Sequence, residues 1–143
     1  MYWTYTKWSL EFLIAPPFAF VTAGLALSLV LSLIFMARNE KLSLLRRPML
    51  WLLVVLQFVC FPLTLVIAVA GRVPAVAWPR QEPHQWAIVS SNVIVVVSIV
   101  CGAVAVFKMK GQRWFVTSMA LLQLWALQGA GVIAASSLTG VWP

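Results

Sequence analysis

Four long runs of this chain contain no Asp, Glu, Lys, Arg or His: Phe12 to Ala37, Pro48 to Gly71, Gln85 to Phe107, and Trp114 to the C-terminus. About 20 apolar residues carry a helix across a hydrocarbon core of roughly 30 Å, and every run reaches that length. Inside lipid a backbone must satisfy its own hydrogen bonds, so each run is expected to be a helix. The expected fold class is an all-α membrane protein with four transmembrane helices in an up-down bundle. The spans are expected near residues 12–37, 48–71, 85–107 and 114–138. With 143 residues, 63% hydrophobic and 9% charged, the chain leaves no room for a soluble domain, and residues 1–143 read as one four-helix domain. The connections of about ten, thirteen and six residues are typical of bundles.

A net charge of +7 would point a soluble chain toward nucleic acid, but the distribution of the charge gives it another cause. Arg38, Lys41, Arg46 and Arg47 lie between the first two runs, and Lys108, Lys110 and Arg113 lie between the last two. Only Lys7, Arg72 and Arg80 fall on the other side. The positive-inside rule then places the two basic loops in the cytoplasm and both termini outside. The expected location is multi-pass in a prokaryotic cytoplasmic (inner) membrane. The seven basic residues are candidate contacts for anionic lipid headgroups, and no nucleic-acid partner is expected. The first run is too long for a signal-peptide core, so no cleaved leader is expected.

The N-terminal segment MYWTYTKWSLE places Tyr5, Trp8 and Phe12 at i, i+3 and i+7, on one helical face. It is expected either to lie in the outer interface or to extend the first helix outward. Trp3, Trp8, Trp78, Trp86 and Trp142 make an outer aromatic belt, Trp51 and Trp114 an inner one, and Trp125 reads as a packing residue. Pro74, Pro79 and Pro83 stiffen the loop after Gly71. Together with the N-terminus, that loop offers Trp3, Trp8, Trp78, Arg80, Glu82, His84 and Trp86 as a candidate outer surface for a partner.

Small residues recur every four positions at Gly24, Ser28 and Ser32, at Ser98 and Gly102, and at Ala126, Ala130 and Ala134. Such stripes let helices approach closely, and use within the bundle is expected. Pro62 should free the Phe58 carbonyl and kink the second span. Cys60 and Cys101 differ in expected depth by roughly 7 Å and read as free thiols. A faint repeat aligns Arg47 with Arg113, so that Leu56-Gln57 matches Leu122-Gln123 and Val66-Ile67-Ala68 matches Val132-Ile133-Ala134. Carried into three dimensions, the repeat makes two tandem helical hairpins related by an axis along the membrane normal.

The chemical inventory is short. The chain has no Asp, one His, and three Glu at positions 11, 40 and 82. Metal and haem centres need several converging ligands, which one His and two separated thiols do not supply, so no metal site and no catalytic residue is assigned. The cofactor is unknown, and no recognisable motif encodes one. In size, and in having Glu11 at the mouth of its first helix, the chain is similar to the small multidrug exporters. It departs from them in its charge bias and in Pro16-Pro17 directly after that Glu. The glutathione-transferase-like eicosanoid enzymes share its four-helix plan, but their Arg- and Glu-rich second-helix pattern is absent.

The intramembrane amides carry more information. Counted from the basic side, Gln57 and Gln123 come out level at about 12 and 14 Å, and Asn92 and Gln128 share a second level in the other half. Two polar layers are expected, either as interhelical hydrogen bonds or as a small site for a lipid headgroup, quinone or pigment ring. The expected function is a non-catalytic accessory or structural subunit of a larger integral-membrane complex, respiratory, photosynthetic, secretory or transport. The alternative is a small oligomeric transporter or a protein that binds a lipid or other hydrophobic ligand. Expected partners are membrane lipids and either other integral-membrane subunits or further copies of the chain.

Overall fold

The computed structural model describes residues 1–72, 85–108 and 110–140, and what it describes is helix and short connections without strands. Five helices follow in order: α1 (Tyr2–Ile14), α2 (Phe18–Arg38), α3 (Pro48–Ala70), α4 (Gln85–Lys108) and α5 (Arg113–Thr139). Short 3-10 turns at Leu42–Arg46 and Lys110–Gln112 lead into α3 and α5. The last four helices are long and apolar enough to cross a membrane, which makes this a multi-pass membrane protein.

The first expected span, 12–37, is corrected by the fold, because residues 12–14 belong to a separate helix. Proline disfavours helical geometry in the residue before it, and Ala15 is extended at φ −67° and ψ 137°. Pro17 has no N–H to return to the Leu13 carbonyl. The Thr22 hydroxyl takes that place, donating to Leu13 O at 2.8 Å across the break. The 21 residues of α2 still reach about 31 Å, enough for a span by themselves. Pro62, by contrast, lies inside α3, which continues through it to Ala70.

α1 packs into the bundle and does not lie apart from it. Tyr5, Ser9 and Leu13 are its buried residues, one turn apart, and they face α5 and α3. The Tyr5 hydroxyl lies 3.1 Å from Ser137 Oγ, and Ser137 in turn donates to the Ala68 carbonyl, so one short relay ties α1, α5 and α3. Lower down, a Cβ on Gly129 would lie 2.9 Å from the Ser9 carbonyl oxygen, so only glycine lets α1 come this close to α5.

α5 is the hub and packs against each of the other four helices. Twelve of its 27 residues are buried, against two of the 21 in α2, which leans on α5 and makes only sparse contact with α3, its neighbour in sequence. Two apolar clusters close the bundle. One gathers Met36, Leu50, Ala105, Phe115 and Val116, which brings the C-terminal ends of α2 and α4 to the starts of α3 and α5. The other gathers Tyr5, Leu65, Ala68, Ala130, Ile133 and Ala134 toward the opposite end. Arg38, Lys41, Arg46, Arg47, Lys108, Lys110 and Arg113 are all exposed around the first cluster, which defines a basic end.

α2 ends in a Schellman turn. Glu40 takes a left-handed φ of 56°, Lys41 N–H bonds to Met36 O at 2.9 Å, and Glu40 N–H bonds to Ala37 O at 3.3 Å. Glu40 therefore shapes the turn, and it makes no ion pair among the described residues.

Candidate functional site

The buried amides were the main candidates, and two of them meet at the α3–α5 seam. Gln57 is 5% exposed, and its Nε2 donates to Ala120 O at 3.2 Å on α5 and to Ser98 O at 3.4 Å on α4. Gln123 Nε2 donates to Val54 O at 3.4 Å on α3. Ala120 precedes Gln123 by three residues, and Val54 precedes Gln57 by three, so each glutamine reaches the carbonyl one turn before the other. The brace has the register of the repeat that aligns Arg47 with Arg113. Leu50 and Val116, equivalent in that register, are both buried in the cluster at the basic end, and Ala68 and Ala134 are both buried in the other.

The small-residue stripe on α4 serves this brace. Ser98 and Gly102 are buried, and a Cβ on Gly102 would lie 3.2 Å from Gln57 Nε2 and 3.3 Å from Ala120 Cβ. Ala130 and Ala134 are likewise buried within the bundle, while Gly24 is exposed with open space where a Cβ would be. The Gln57 and Gln123 layer thus makes three interhelical hydrogen bonds. Ser98 Oγ and Gln123 Oε1 are buried beside it without partners.

Asn92 and Gln128 do not form a second layer. Both are exposed, on α4 and α5, and neither takes part in a hydrogen bond among the described residues. Gln128 opens into a groove of about 540 Å³ between α5 and the α1–α2 elbow, lined by Phe12, Phe18, Val21, Leu25 and Trp125 among others. Phe12 stacks on Phe18 at 4.4 Å between ring centroids, and Trp125 Nε1 donates to Thr22 Oγ1 at 2.9 Å, so the wall of the groove is held rigidly. Asn92 lies at the helical spacing of Ile88 and Val95, which line a cleft of about 250 Å³ between α4 and α5. The floor of that cleft is small (Gly131, Ala134 and Ala135), and Ser91 Oγ sits in it buried and unpaired.

Of the candidate partner surface, Trp78, Arg80, Glu82 and His84 lie outside the described residues. Trp3 is 80% exposed, Trp86 is exposed, and Trp8 stacks on Tyr5 at 5.8 Å. Glu11 is exposed and paired with Lys7 at 3.7 Å on the outer face of α1. Among the described residues no cluster of His, Cys, Asp or Glu could hold a metal ion, and Cys60 and Cys101 are free thiols.

A further pocket, which sequence reasoning missed, sits at the basic end between the C-terminus of α2 and the start of α5. Its volume is about 150 Å³, and Ser32, Phe35, Met36, Lys41 and Gly111 to Phe115 line it. Gln112, 3% exposed, has neither amide atom hydrogen-bonded. The sequence signal was a lone glutamine in a short basic loop, indistinguishable from ordinary loop polarity. No protein-family model matches this chain, and neither the curated proteins nor the solved structures compared with it include a match.

Proposed function

We propose that this protein is a non-catalytic subunit of a larger integral-membrane assembly, and that a partner's transmembrane helix lies on the α4–α5 face at the end away from the bases. The observation that carries this reading is Asn92. It stands about 9 Å along α4 from Trp86, exposed among Val89, Val93 and Val96, with its amide unpaired among the described residues. A carboxamide facing hydrocarbon without a partner costs several kcal/mol, and a second helix with a polar side chain removes that cost. The cleft beside it has the small floor that close helix packing requires, and Ser91 adds a further unused hydroxyl. In this reading the four long helices cross the inner membrane of a prokaryote as an up-down bundle of two tandem hairpins. The seven bases face the cytoplasm, and both termini and the Trp-rich surface face outward.

Purification in mild detergent from the native membrane tests the proposal. The wild-type chain should bring down a stoichiometric membrane partner. Asn92→Leu should release it while leaving the thermal stability of the isolated chain unchanged or slightly raised. Retention of the same complex by Asn92→Leu would remove the face proposed here, and a wild-type chain that purifies alone would remove the subunit reading.

The aromatic groove favours a second reading, a binder of a lipid or other hydrophobic ligand. Three rings and the Gln128 amide, unpaired among the described residues, suit a flat or chain-like apolar molecule with a single polar group.

A further inference from the structure

At the basic end, donors and acceptors are unequally used. The carbonyls that close α2 are occupied: Phe35 O accepts from the Asn39 backbone N–H at 3.1 Å and from Asn39 Nδ2 at 2.9 Å, and Met36 O accepts from the Lys41 N–H. At the start of α5 the reverse holds. No side chain caps the helix, and its first turn, entered from the 3-10 turn Lys110–Gln112, has no acidic residue to answer the positive end of a 27-residue helix. Its first three residues, Arg113, Trp114 and Phe115, all line the pocket. Lys41, turned back over the end of α2 by the left-handed Glu40, lines the opposite wall. Among the described residues Glu40 is the only carboxylate of this end, and it is not among the lining residues.

Gln112 makes this more than a helix terminus beside two cations. A primary amide carries two N–H donors and an acceptor oxygen, and burying it unpaired costs about 1–3 kcal/mol or more. Gln112 is buried with both ends idle and is one of the residues lining a space of about 150 Å³, roughly five times the volume share of one water. The pocket borders Phe35 and Trp114, two half-exposed aromatic rings 5.8 Å apart on the apolar side of the same helices. An oxyanion held by the amide, the helix start and the two cations would therefore have an apolar surface beside it.

We infer that the pocket between the end of α2 and the start of α5 is a binding site for a phosphate group. Gln112 and the first-turn N–H groups of α5 act as its hydrogen-bond donors, and Lys41 and Arg113 as its counter-charges. The phosphate comes either from the headgroup of an anionic phospholipid, whose chain lies along Phe35 and Trp114, or from a soluble phosphate. This site is separate from the α4–α5 face and stands or falls independently of the subunit reading.

Native mass spectrometry of the detergent-purified chain, titrated with phosphatidylglycerol, phosphatidylcholine or inorganic phosphate, tests the assignment. Phosphatidylglycerol should bind as one tight equivalent, at least tenfold more tightly than phosphatidylcholine. Gln112→Leu and Lys41→Ala should each weaken that equivalent at least tenfold. Lys7→Ala and Arg72→Ala, which change the same net charge away from the pocket, should leave it within twofold. Millimolar inorganic phosphate that occupies the site and displaces the lipid would identify the soluble source and uphold the site. Lys41 is exposed, so its variant reports even where Gln112→Leu disturbs the fold. Equal weakening by all four variants would reduce the binding to diffuse charge and overturn the assignment, as would wild-type affinity in both Lys41→Ala and Gln112→Leu.

Discussion

The reciprocal donation of Gln57 and Gln123 fixes what their substitution should do. Each amide bonds to a backbone carbonyl of the other helix, and that carbonyl already belongs to its own helical ladder, so removing one glutamine strands no buried partner. Gln57→Leu should cost about 1 kcal/mol and the less buried Gln123→Leu about 0.6 kcal/mol, in line with interhelical hydrogen bonds in membranes. The double variant should cost their sum within about 0.5 kcal/mol. Thermal or denaturant unfolding of the three variants measures this. A double variant more stable than either single one would mean that the amides bond to each other instead. From the chain alone, the level of these two glutamines was legible, since depth follows from residue count. Their partners were not, because a backbone acceptor one turn away leaves no mark in the identity of any residue.

Among the helices, α1 departs most from expectation, and its docking rests on a few atoms. Gly129→Val should push α1 off α5, because the added carbon atoms meet the Ser9 carbonyl, a backbone atom that no rotamer change can move, as well as the Leu13 side chain. A loss of about 1–3 kcal/mol is expected, as for other overpacked contacts. Hydrogen exchange should show lost protection in Tyr2–Ile14 while α3 to α5 stay protected. Gly131→Ala is the control: nothing lies within 4 Å of its Cβ position, so the change should be neutral or stabilising by up to about 1 kcal/mol. If both variants leave α1 protected, the close approach at Gly129 does not hold it. The Tyr5, Trp8 and Phe12 spacing did announce a helix here. What it could not announce was the break at Ala15, where the Pro16-Pro17 pair outweighs an apolar run that continues without interruption.

For the whole molecule, the arrangement of ends is the property to test. The contacts bring the starts of α3 and α5 to the ends of α2 and α4, and the proposed up-down bundle then puts Lys110 on one side of the membrane and Arg72 on the other. In intact cells an impermeant thiol reagent should label Arg72→Cys but not Lys110→Cys, and lysis should expose the second. The native thiols give little background, Cys60 being buried and Cys101 half-buried. Labelling of Lys110→Cys from outside would reverse the orientation, and labelling of both from one side would refute the arrangement itself.

The residues alone determined that there are four membrane-length helices, which end of them carries the bases, and that the amides at 57 and 123 stand level. All of these follow from local quantities: apolar run length, charge position and rise per residue. Only the tertiary structure decided that α5 is the hub and that α2 leans on it away from α3. It likewise decided that Asn92 faces outward and that Gln112 is buried with both ends of its amide idle. Those outcomes depend on which side of each helix meets which neighbour. In a chain whose spans are apolar on every face, no periodicity of hydrophobic residues records that choice, and close packing around glycine and serine makes it instead.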